Sequence, residues 1–209
     1  MAKKFEFMFK APGPQPNGMQ AVSDGLWFLD QRTNQIFKVS FDDGSVLLTL
    51  ETESDRGSGI TDTGSELWAA STYSREILKI NKNDGTTIAS YPTPGAEKTG
   101  AHGLEWVDGK LWMAVPPSQT IYQIEPSDYS IIHTIPAPGN RPHGLAWDDG
   151  YLWCVESNHR TIYKLNPKTG EAVDKIEVPQ PYPEPHGLTI RKGVLWYCDA
   201  GTAQIFTIT

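Results

Sequence analysis

One short pattern occurs five times in this 209-residue chain and constrains its fold more than any other feature. Each copy has a glycine, a tryptophan nine residues later, and an isoleucine nine residues after that. The glycines are Gly18, Gly59, Gly103, Gly144 and Gly187. The tryptophans are Trp27, Trp68, Trp112, Trp153 and Trp196, and the isoleucines are Ile36, Ile77, Ile121, Ile162 and Ile205. Because the copies lie 41 to 44 residues apart, the sequence predicts a repeat architecture.

The segments within each repeat are typical of short β-strands separated by turns. Apolar runs such as IFKVS, ILKIN, IYQIE and IYKLN alternate with polar turns such as FDDGS and NPKTGE. Four antiparallel strands in a unit of this length match one blade of a β-propeller. We therefore predict an all-β fold, a five-bladed propeller. A β-sandwich is the alternative, but its sequence would not repeat the same frame five times at nearly equal intervals.

The repeats account for the whole chain as one domain, residues 1–209. The repeat frames lie near 18–56, 57–100, 101–141, 142–184 and 185–209. The fifth copy ends at Thr209 after its third strand. We predict that KFEFMF, Lys4–Phe9, supplies its fourth strand and closes the ring without an exposed edge.

Charge and composition exclude several classes of partner. The net charge is −7, and no run of Lys or Arg exceeds two residues. Nucleic acids and anionic membranes need a basic surface, so we expect neither as a partner. No apolar run has the length of a signal peptide or a membrane span, so we expect a cytoplasmic protein. The partner that we expect is a small molecule. Cys154 and Cys198 are predicted to be buried free thiols. The sequence leaves the oligomeric state open.

The residue before each repeat glycine should lie where the chain enters the innermost strand, at the mouth of the central channel. These residues are Asn17, Ser58, His102, His143 and His186. Three of the chain's five histidines share this position, which packing alone does not require. Converging neutral imidazoles bind divalent metals well. We predict that His102, His143 and His186 hold such an ion (Zn, Mn, Fe, Ni, Cu or Mg). The alternative is that each histidine only caps a turn.

Carboxylates recur at a second repeat position, three residues past the tryptophan. Asp30, Glu156 and Asp199 occupy it in the first, fourth and fifth copies. They should face the same end of the channel as the histidines. Glu156 and Asp199 are predicted to move protons, with orienting the imidazoles or capping a turn as alternatives.

Other loop residues near this end are weaker candidates. His159 and Tyr182 are further candidates for the proton step. The predicted substrate-binding residues are Asn17, Asp30, Arg141, Arg160, Glu184 and Tyr73. Arg32 and Glu105 also lie in or near these loops, and any of them could select a substrate. The repeated Leu, Trp and Ile are predicted to be core.

Two stretches, RPHGLAWDDGYLWCVE at 141–156 and EPHGLTIRKGVLW at 184–196, carry a family resemblance. With the prolines before them, they resemble the streptogramin (virginiamycin B) lyases, and more loosely NHL and gluconolactonase-type propellers. The resemblance implies an elimination reaction that uses a divalent metal and a histidine base. Water is not the nucleophile in this reaction. It places His143, Glu156 and His186 on the family's functional positions. Streptogramin lyases have seven blades, so two are missing here and the pocket differs.

Three functions follow from these features. The first is a metal-dependent lyase or isomerase acting on a small polar molecule, in which the ion polarises a carbonyl or hydroxyl. The second is a lactonase-like hydrolase, in which the ion activates water. The third is a non-catalytic ligand- or protein-binding propeller, although such a binder should repeat its site in every blade.

Overall fold

The computed structural model describes residues 3–209, and nearly all of its regular structure is β-strand. The N-terminal strand is β1 (Phe5–Lys10). The first blade contains β2 (Pro16–Val22), β3 (Gly25–Asp30), β4 (Gln35–Val39) and β5 (Val46–Glu51). The second contains β6 (Ile60–Asp62), β7 (Glu66–Ser71), β8 (Glu76–Asn81) and β9 (Thr87–Pro92). The third contains β10 (Gly103–Val107), β11 (Lys110–Val115), β12 (Thr120–Glu125) and β13 (Ser130–Pro136), with a short 3-10 helix at Pro116–Ser118.

The last two blades complete the ring. The fourth contains β14 (Pro142–Asp148), β15 (Tyr151–Glu156), β16 (Thr161–Leu165) and β17 (Ala172–Glu177). The fifth contains β18 (Leu188–Arg191), β19 (Val194–Cys198) and β20 (Gln204–Ile208). Each blade is a four-stranded antiparallel sheet whose strands follow one another in sequence, and β1 is the outer strand of the fifth. The prediction of a five-bladed propeller is confirmed.

The N-terminal strand closes the fifth blade, as predicted. Strand β1 pairs antiparallel with β20, with Phe5 opposite Ile208. The amide of Lys4 donates to the carbonyl of Thr209 at 2.9 Å, and the amide of Thr209 donates back at 3.0 Å. The strand starts and ends one residue later than the predicted Lys4–Phe9. The two ends of the described chain are therefore held in one sheet.

The core lies between neighbouring blades, in five clusters of buried residues. Trp27 of the first blade packs with Ile60 and Leu67 of the second. Trp196 of the fifth packs with Met19 and Phe28 of the first, which joins the last interface to the ring. All five repeat isoleucines are fully buried. The prediction that the repeated apolar residues are core is confirmed, and it explains why they recur in every copy.

Glycines close the central axis where a channel was predicted. A Cβ atom on Gly103 would lie 2.0 Å from the carbonyl oxygen of His143, and one on Gly144 would lie 2.3 Å from the amide nitrogen of Leu188. Only glycine allows the backbones of adjacent blades to approach this closely. The gap between the five glycines has no room for a water-sized sphere. The histidines therefore lie above a closed floor and do not line an open tube.

Cys154 and Cys198 are both buried and unpaired, as predicted. Burial raises the pKa of Cys198 to about 12, so the thiol stays protonated. Among residues 3–209, no helix has the length and apolarity to cross a membrane.

Candidate functional site

The residues before the five repeat glycines form a ring on the closed axis, which we call the polar ring. It consists of Asn17, Ser58, His102, His143 and His186. Four of the five are buried, and His102 is partly exposed. Each lies at or just before the start of an inner strand, so the propeller symmetry alone brings the five side chains to one level. Polar groups at this depth need partners, because burying an unpaired polar group costs free energy.

The three imidazoles lie in a row, with His143 between His102 and His186. The ring centroids of His102 and His143 lie 4.6 Å apart, and the two planes meet at 80°. The centroids of His143 and His186 lie 4.9 Å apart, also at 80°. His143 is therefore the central member of a row of three edge-to-face rings.

Three nitrogens of this row lack hydrogen-bond partners within the described part of the chain. Both ring nitrogens of His143 and Nδ1 of His102 are buried without a hydrogen bond. Burial, and after it the charge of Arg141, lowers the pKa of His102 to about 4. Burial also holds the pKa of His143 well below its usual value. Both imidazoles are neutral at physiological pH and present free lone pairs.

The donor chemistry of the row fits a divalent metal ion, because neutral imidazole nitrogens without other partners are the ligands that such ions take. The positions of the three imidazoles in the structure do not fit the coordination of such an ion. Among residues 3–209, no group of three or more His, Cys, Asp or Glu side chains is arranged to hold a metal ion. In addition, Nε2 of His186 lies 3.4 Å from the guanidinium of Arg141, a cation that would repel the ion. The metal centre predicted from the sequence stays a proposal.

An ion pair lies beside the row at its solvent side. Arg141 donates to Glu184 at 2.9 Å, and the same carboxylate oxygen lies 3.4 Å from Nε2 of His186. On the other side of that imidazole, Nδ1 lies 3.7 Å from Asp199. The side chains of Arg141 and Glu184 are 39% and 33% exposed, so a ligand reaching the ring meets them first.

The recurring carboxylates cap turns and anchor the loops that carry the ring residues. Asp30 is fully buried and accepts the backbone N–H groups of Gln15, Arg32 and Thr33. Glu156 is fully buried as well, and its two oxygens accept the amides of Arg141 at 2.9 Å and His159 at 2.7 Å.

Asp199 has two sets of contacts. It accepts the amides of Gly201 and Thr202 and the hydroxyl of Thr202. It is also the recurring carboxylate that contacts an imidazole of the row, at His186. Asp30 and Glu156 therefore position loops, whereas Asp199 can also orient a ring residue.

Three other predicted residues lie away from the ring or are occupied elsewhere. His159 has a 58% exposed side chain on the turn after β15, with Nδ1 3.4 Å from Glu156. Tyr182 stacks on Phe5 at 4.6 Å between ring centroids and packs against the core between the fourth and fifth blades. Arg160 donates to the carbonyl oxygens of Val178 and Tyr182 and holds an outer loop. The structure does not bring Tyr182 or Arg160 to the three histidines.

Tyr73 lies on the same rim over the first and second blades. It lines a cavity of about 450 Å³ with Gln15, Gln31, Arg32 and Arg56. Gln31 connects this cavity to the polar ring, because its amide donates to Ser58 at 3.2 Å. Gln15, Gln31 and Arg56 were missed in the sequence, since they lie in loops whose paths the repeat does not define.

A second polar level lies past the glycines, two residues further along the inner strands. Thr61 donates to Gln20 at 3.0 Å, and Gln20 lies 3.4 Å from Thr189. Glu105 is the acidic member, and burial raises its pKa to about 8. The sequence predicts Glu105 in or near a rim loop, whereas the structure places it inside strand β10.

Comparisons with known proteins agree with this architecture. A family model described as the virginiamycin B lyase family matches residues 3–209. A glutaminyl cyclase from Myxococcus xanthus has a TM-score of 0.79 at 11% identity, covering 98% of this chain and 95% of that chain. A streptogramin B lyase structure has a TM-score of 0.63 at 17% identity, with 99% and 97% covered.

A virginiamycin B lyase from Staphylococcus aureus has a TM-score of 0.59 at 23% identity, and the match covers 93% of this chain but 66% of that one. A search of curated proteins found no match. At these identities the structural likenesses establish the fold alone.

Proposed function

The chain belongs to the virginiamycin B lyase family, and on that premise we propose that it is a lyase whose active centre is the polar ring with Arg141 and Glu184. The observation that carries the proposal is the row of three imidazoles at the axis, in which both nitrogens of His143 and Nδ1 of His102 are buried and lack hydrogen-bond partners among residues 3–209. A protein interior rarely leaves such groups unpaired without a functional reason.

The proposed reaction is an elimination that removes a proton next to a carbonyl and expels an oxygen leaving group. His186 is the proposed base, because Asp199 and Glu184 flank it and would stabilise the imidazolium that forms. The guanidinium of Arg141, close to the same imidazole, is placed to stabilise negative charge on the substrate carbonyl oxygen. Glu156 holds the backbone of Arg141 in place and takes no part in proton transfer.

As an alternative to His186 acting as the base, we propose that His102, His143 and His186 bind a divalent ion when the protein is loaded with metal, which requires the imidazole of His186 to turn away from the guanidinium of Arg141. Bound there, the ion would polarise a substrate carbonyl or hydroxyl. The buried lone pairs of His102 and His143 support this part of the proposal. Metal analysis of purified protein tests it separately: about one ion per chain is expected, and its loss in His143→Gln. An ion-free protein that turns over substrate would contradict it.

The test of the lyase proposal uses the mass of the product. A streptogramin B cyclic depsipeptide and smaller cyclic esters are incubated with the protein in ¹⁸O-labelled water. Elimination opens the ring without changing its mass, whereas hydrolysis adds one labelled water. We expect an unchanged mass and no label. Labelled product would instead support the lactonase-like alternative, and an unopened ring with every ester would contradict both.

A second candidate function is the cyclisation of an N-terminal glutamine with release of ammonia. The observation that favours it is the similarity of the fold, because the TM-score is 0.79 for the glutaminyl cyclase and 0.63 for the streptogramin B lyase structure. The same base and the same guanidinium would serve the attack of the amine on the side-chain amide. A peptide with N-terminal Gln that loses one ammonia on incubation supports this candidate, and an unchanged peptide excludes it.

A further inference from the structure

The cavity beside the polar ring has the features of a second binding site, and we call it the rim cavity. Its lining residues are Gln15, Gln31, Arg32, Arg56 and Tyr73. They come from the loop before β2, the β3–β4 turn, the loop before β6 and the β7–β8 turn. At about 450 Å³, the cavity has the size of small-ligand pockets in proteins.

Hydrogen bonds between these loops fix the walls of the rim cavity. The side-chain oxygen of Asn34 accepts the backbone N–H of Arg56 at 2.9 Å, and the backbone carbonyl oxygen of Asn34 accepts the hydroxyl of Thr52 at 2.6 Å. The amide of Tyr73 donates to the carbonyl of Asp55 at 3.1 Å. The three loops therefore form one connected wall, so the cavity does not depend on a mobile flap.

The positive charge of the rim cavity lacks an anionic partner within residues 3–209. The chain has six arginines. Three of them, Arg75, Arg141 and Arg160, donate to oxygens of the protein, and Arg191 lies over the ring of Phe41. Arg32 and Arg56 remain, and both line the rim cavity.

Neither of these guanidinium groups has a hydrogen bond or an ion pair with a residue in the described range. Arg56 has a different contact, since its guanidinium lies 4.6 Å from the centroid of the Tyr73 ring. The carboxylate of Asp55, adjacent in sequence and exposed, does not pair with it. In a chain of net charge −7, two unpaired arginines in one concave site are an unusual local excess of positive charge.

Two neutral residues of the lining, Gln15 and Gln31, connect the rim cavity to the polar ring. The amide of Gln15 donates to Gln31 at 2.8 Å, and the amide of Gln31 donates to Ser58 at 3.2 Å. The nearby carboxylate of Asp30 is fully buried and accepts backbone N–H groups, among them those of Gln15 and Arg32. An anion in the cavity would thus meet hydrogen-bond donors, because none of the five lining residues is acidic.

We propose that the rim cavity binds the carboxylate group of a small organic acid. Two guanidinium groups offer paired N–H donors that match the two oxygens of a carboxylate. The connection through Gln31 and Ser58 places the remainder of such a ligand toward the polar ring. This site is not part of the proposed elimination, and it stands if the catalytic proposal fails.

Calorimetric titration of the full chain tests the carboxylate site directly. Succinate is the probe, with the neutral succinamide and inorganic phosphate as comparisons. We expect saturable binding of succinate at one site, weaker at high salt, and no binding of succinamide. Phosphate binding without succinate binding, or no binding of either, would overturn the proposal.

Single-arginine variants locate the binding. Arg32→Gln and Arg56→Gln should each weaken succinate binding by about 10-fold or more, since each removes charged hydrogen bonds. Arg75→Gln is the matched control, because it removes the same charge from an exposed arginine outside the rim cavity. Equal affinity in all three variants would place the anion elsewhere and refute the assignment. Because binding is measured, a failed turnover assay does not affect this test.

Discussion

The Cα atom of Gly103 faces the carbonyl oxygen of His143 so closely that a Cβ atom there would lie 2.0 Å from that oxygen. This contact joins the third blade to the fourth at the axis, directly below the row of imidazoles. Similar approaches involve the other repeat glycines. The glycine and the histidine of the repeat are thus parts of one arrangement, in which the glycines close the floor and the histidines lie upon it.

Gly103→Ala should therefore destabilise the fold strongly. The added methyl group meets backbone atoms of a neighbouring blade, which cannot rotate away, so we expect a loss of about 3 kcal/mol or more. Denaturant unfolding measures the difference. Gly201→Ala is the control, because its Cβ would lie 3.5 Å from the nearest atom and its backbone conformation suits alanine. Equal stability of the two variants would mean that the third and fourth blades can move apart at the axis and make room for the methyl group.

Phe9→Ala tests the closure of the ring by the N-terminal strand. Phe9 is 6% exposed and packs in the cluster that contains Trp196. We expect a loss of about 3–5 kcal/mol, as is usual for a buried phenylalanine. Phe7→Ala on the same strand is the control, because Phe7 is 50% exposed and should cost much less. The same small loss for both variants would show that β1 adds little to the core.

Glu105 should make the stability depend on pH. Its pKa is raised from 4.5 to about 8 by burial, so between these values the folded state keeps a proton that the unfolded chain has lost. The free energy of unfolding then falls by about 1.4 kcal/mol per pH unit as the pH rises through this range. The stability that the protonated Glu105 carboxyl group provides, relative to the ionised carboxylate, is fully present below pH 4.5 and is lost by pH 8.

Glu105→Gln removes this titration. The variant should gain stability relative to the native chain as the pH increases, and unfolding curves across the range measure the difference. Glu177→Gln, at an exposed position on β17, provides the control with the same change of charge. Parallel pH profiles for the native chain and Glu105→Gln would contradict the assigned protonation.

The sequence predicted the scaffold well because the features that build it are local and repeated. The glycine, tryptophan and isoleucine of each copy define strand positions, and a missing fourth strand in the last copy identified Lys4–Phe9 as the closing strand. The contact between His102, His143 and His186 also followed from the repeat. Equal positions in a cyclic fold must lie at one level around the axis.

The chemistry around these histidines was less predictable, because it depends on loop paths and close approaches. The glycine floor is a contact between blades, which no single repeat reveals. Glu156 was predicted to move protons as one of several roles, and the structure shows both of its oxygens bonded to backbone amides. The closeness of Arg141 and Glu184 to His186 results from two separate loops and could not be seen in the sequence.

Glu156→Ala should destabilise the loop that carries Arg141 and leads into β14, the strand of His143. It leaves two amides without their buried acceptor, at a cost of about 1–3 kcal/mol. Asp174→Ala on the outer strand, at an exposed position, should change the stability by less than about 0.5 kcal/mol. Thermal unfolding compares the two. If Glu156→Ala is as stable as the native chain, its amide bonds are replaceable by water.

The most direct test of the account compares turnover of a cyclic ester by the native chain, His186→Gln and His133→Gln. His133 lies on the outer strand β13 and contacts the carbonyl of Pro167, so it is a matched histidine outside the polar ring. We predict ring opening without ¹⁸O uptake by the native chain and His133→Gln, and a loss of about 100-fold or more in His186→Gln. Undiminished turnover by a folded His186→Gln protein would contradict the assignment of the active centre to the polar ring.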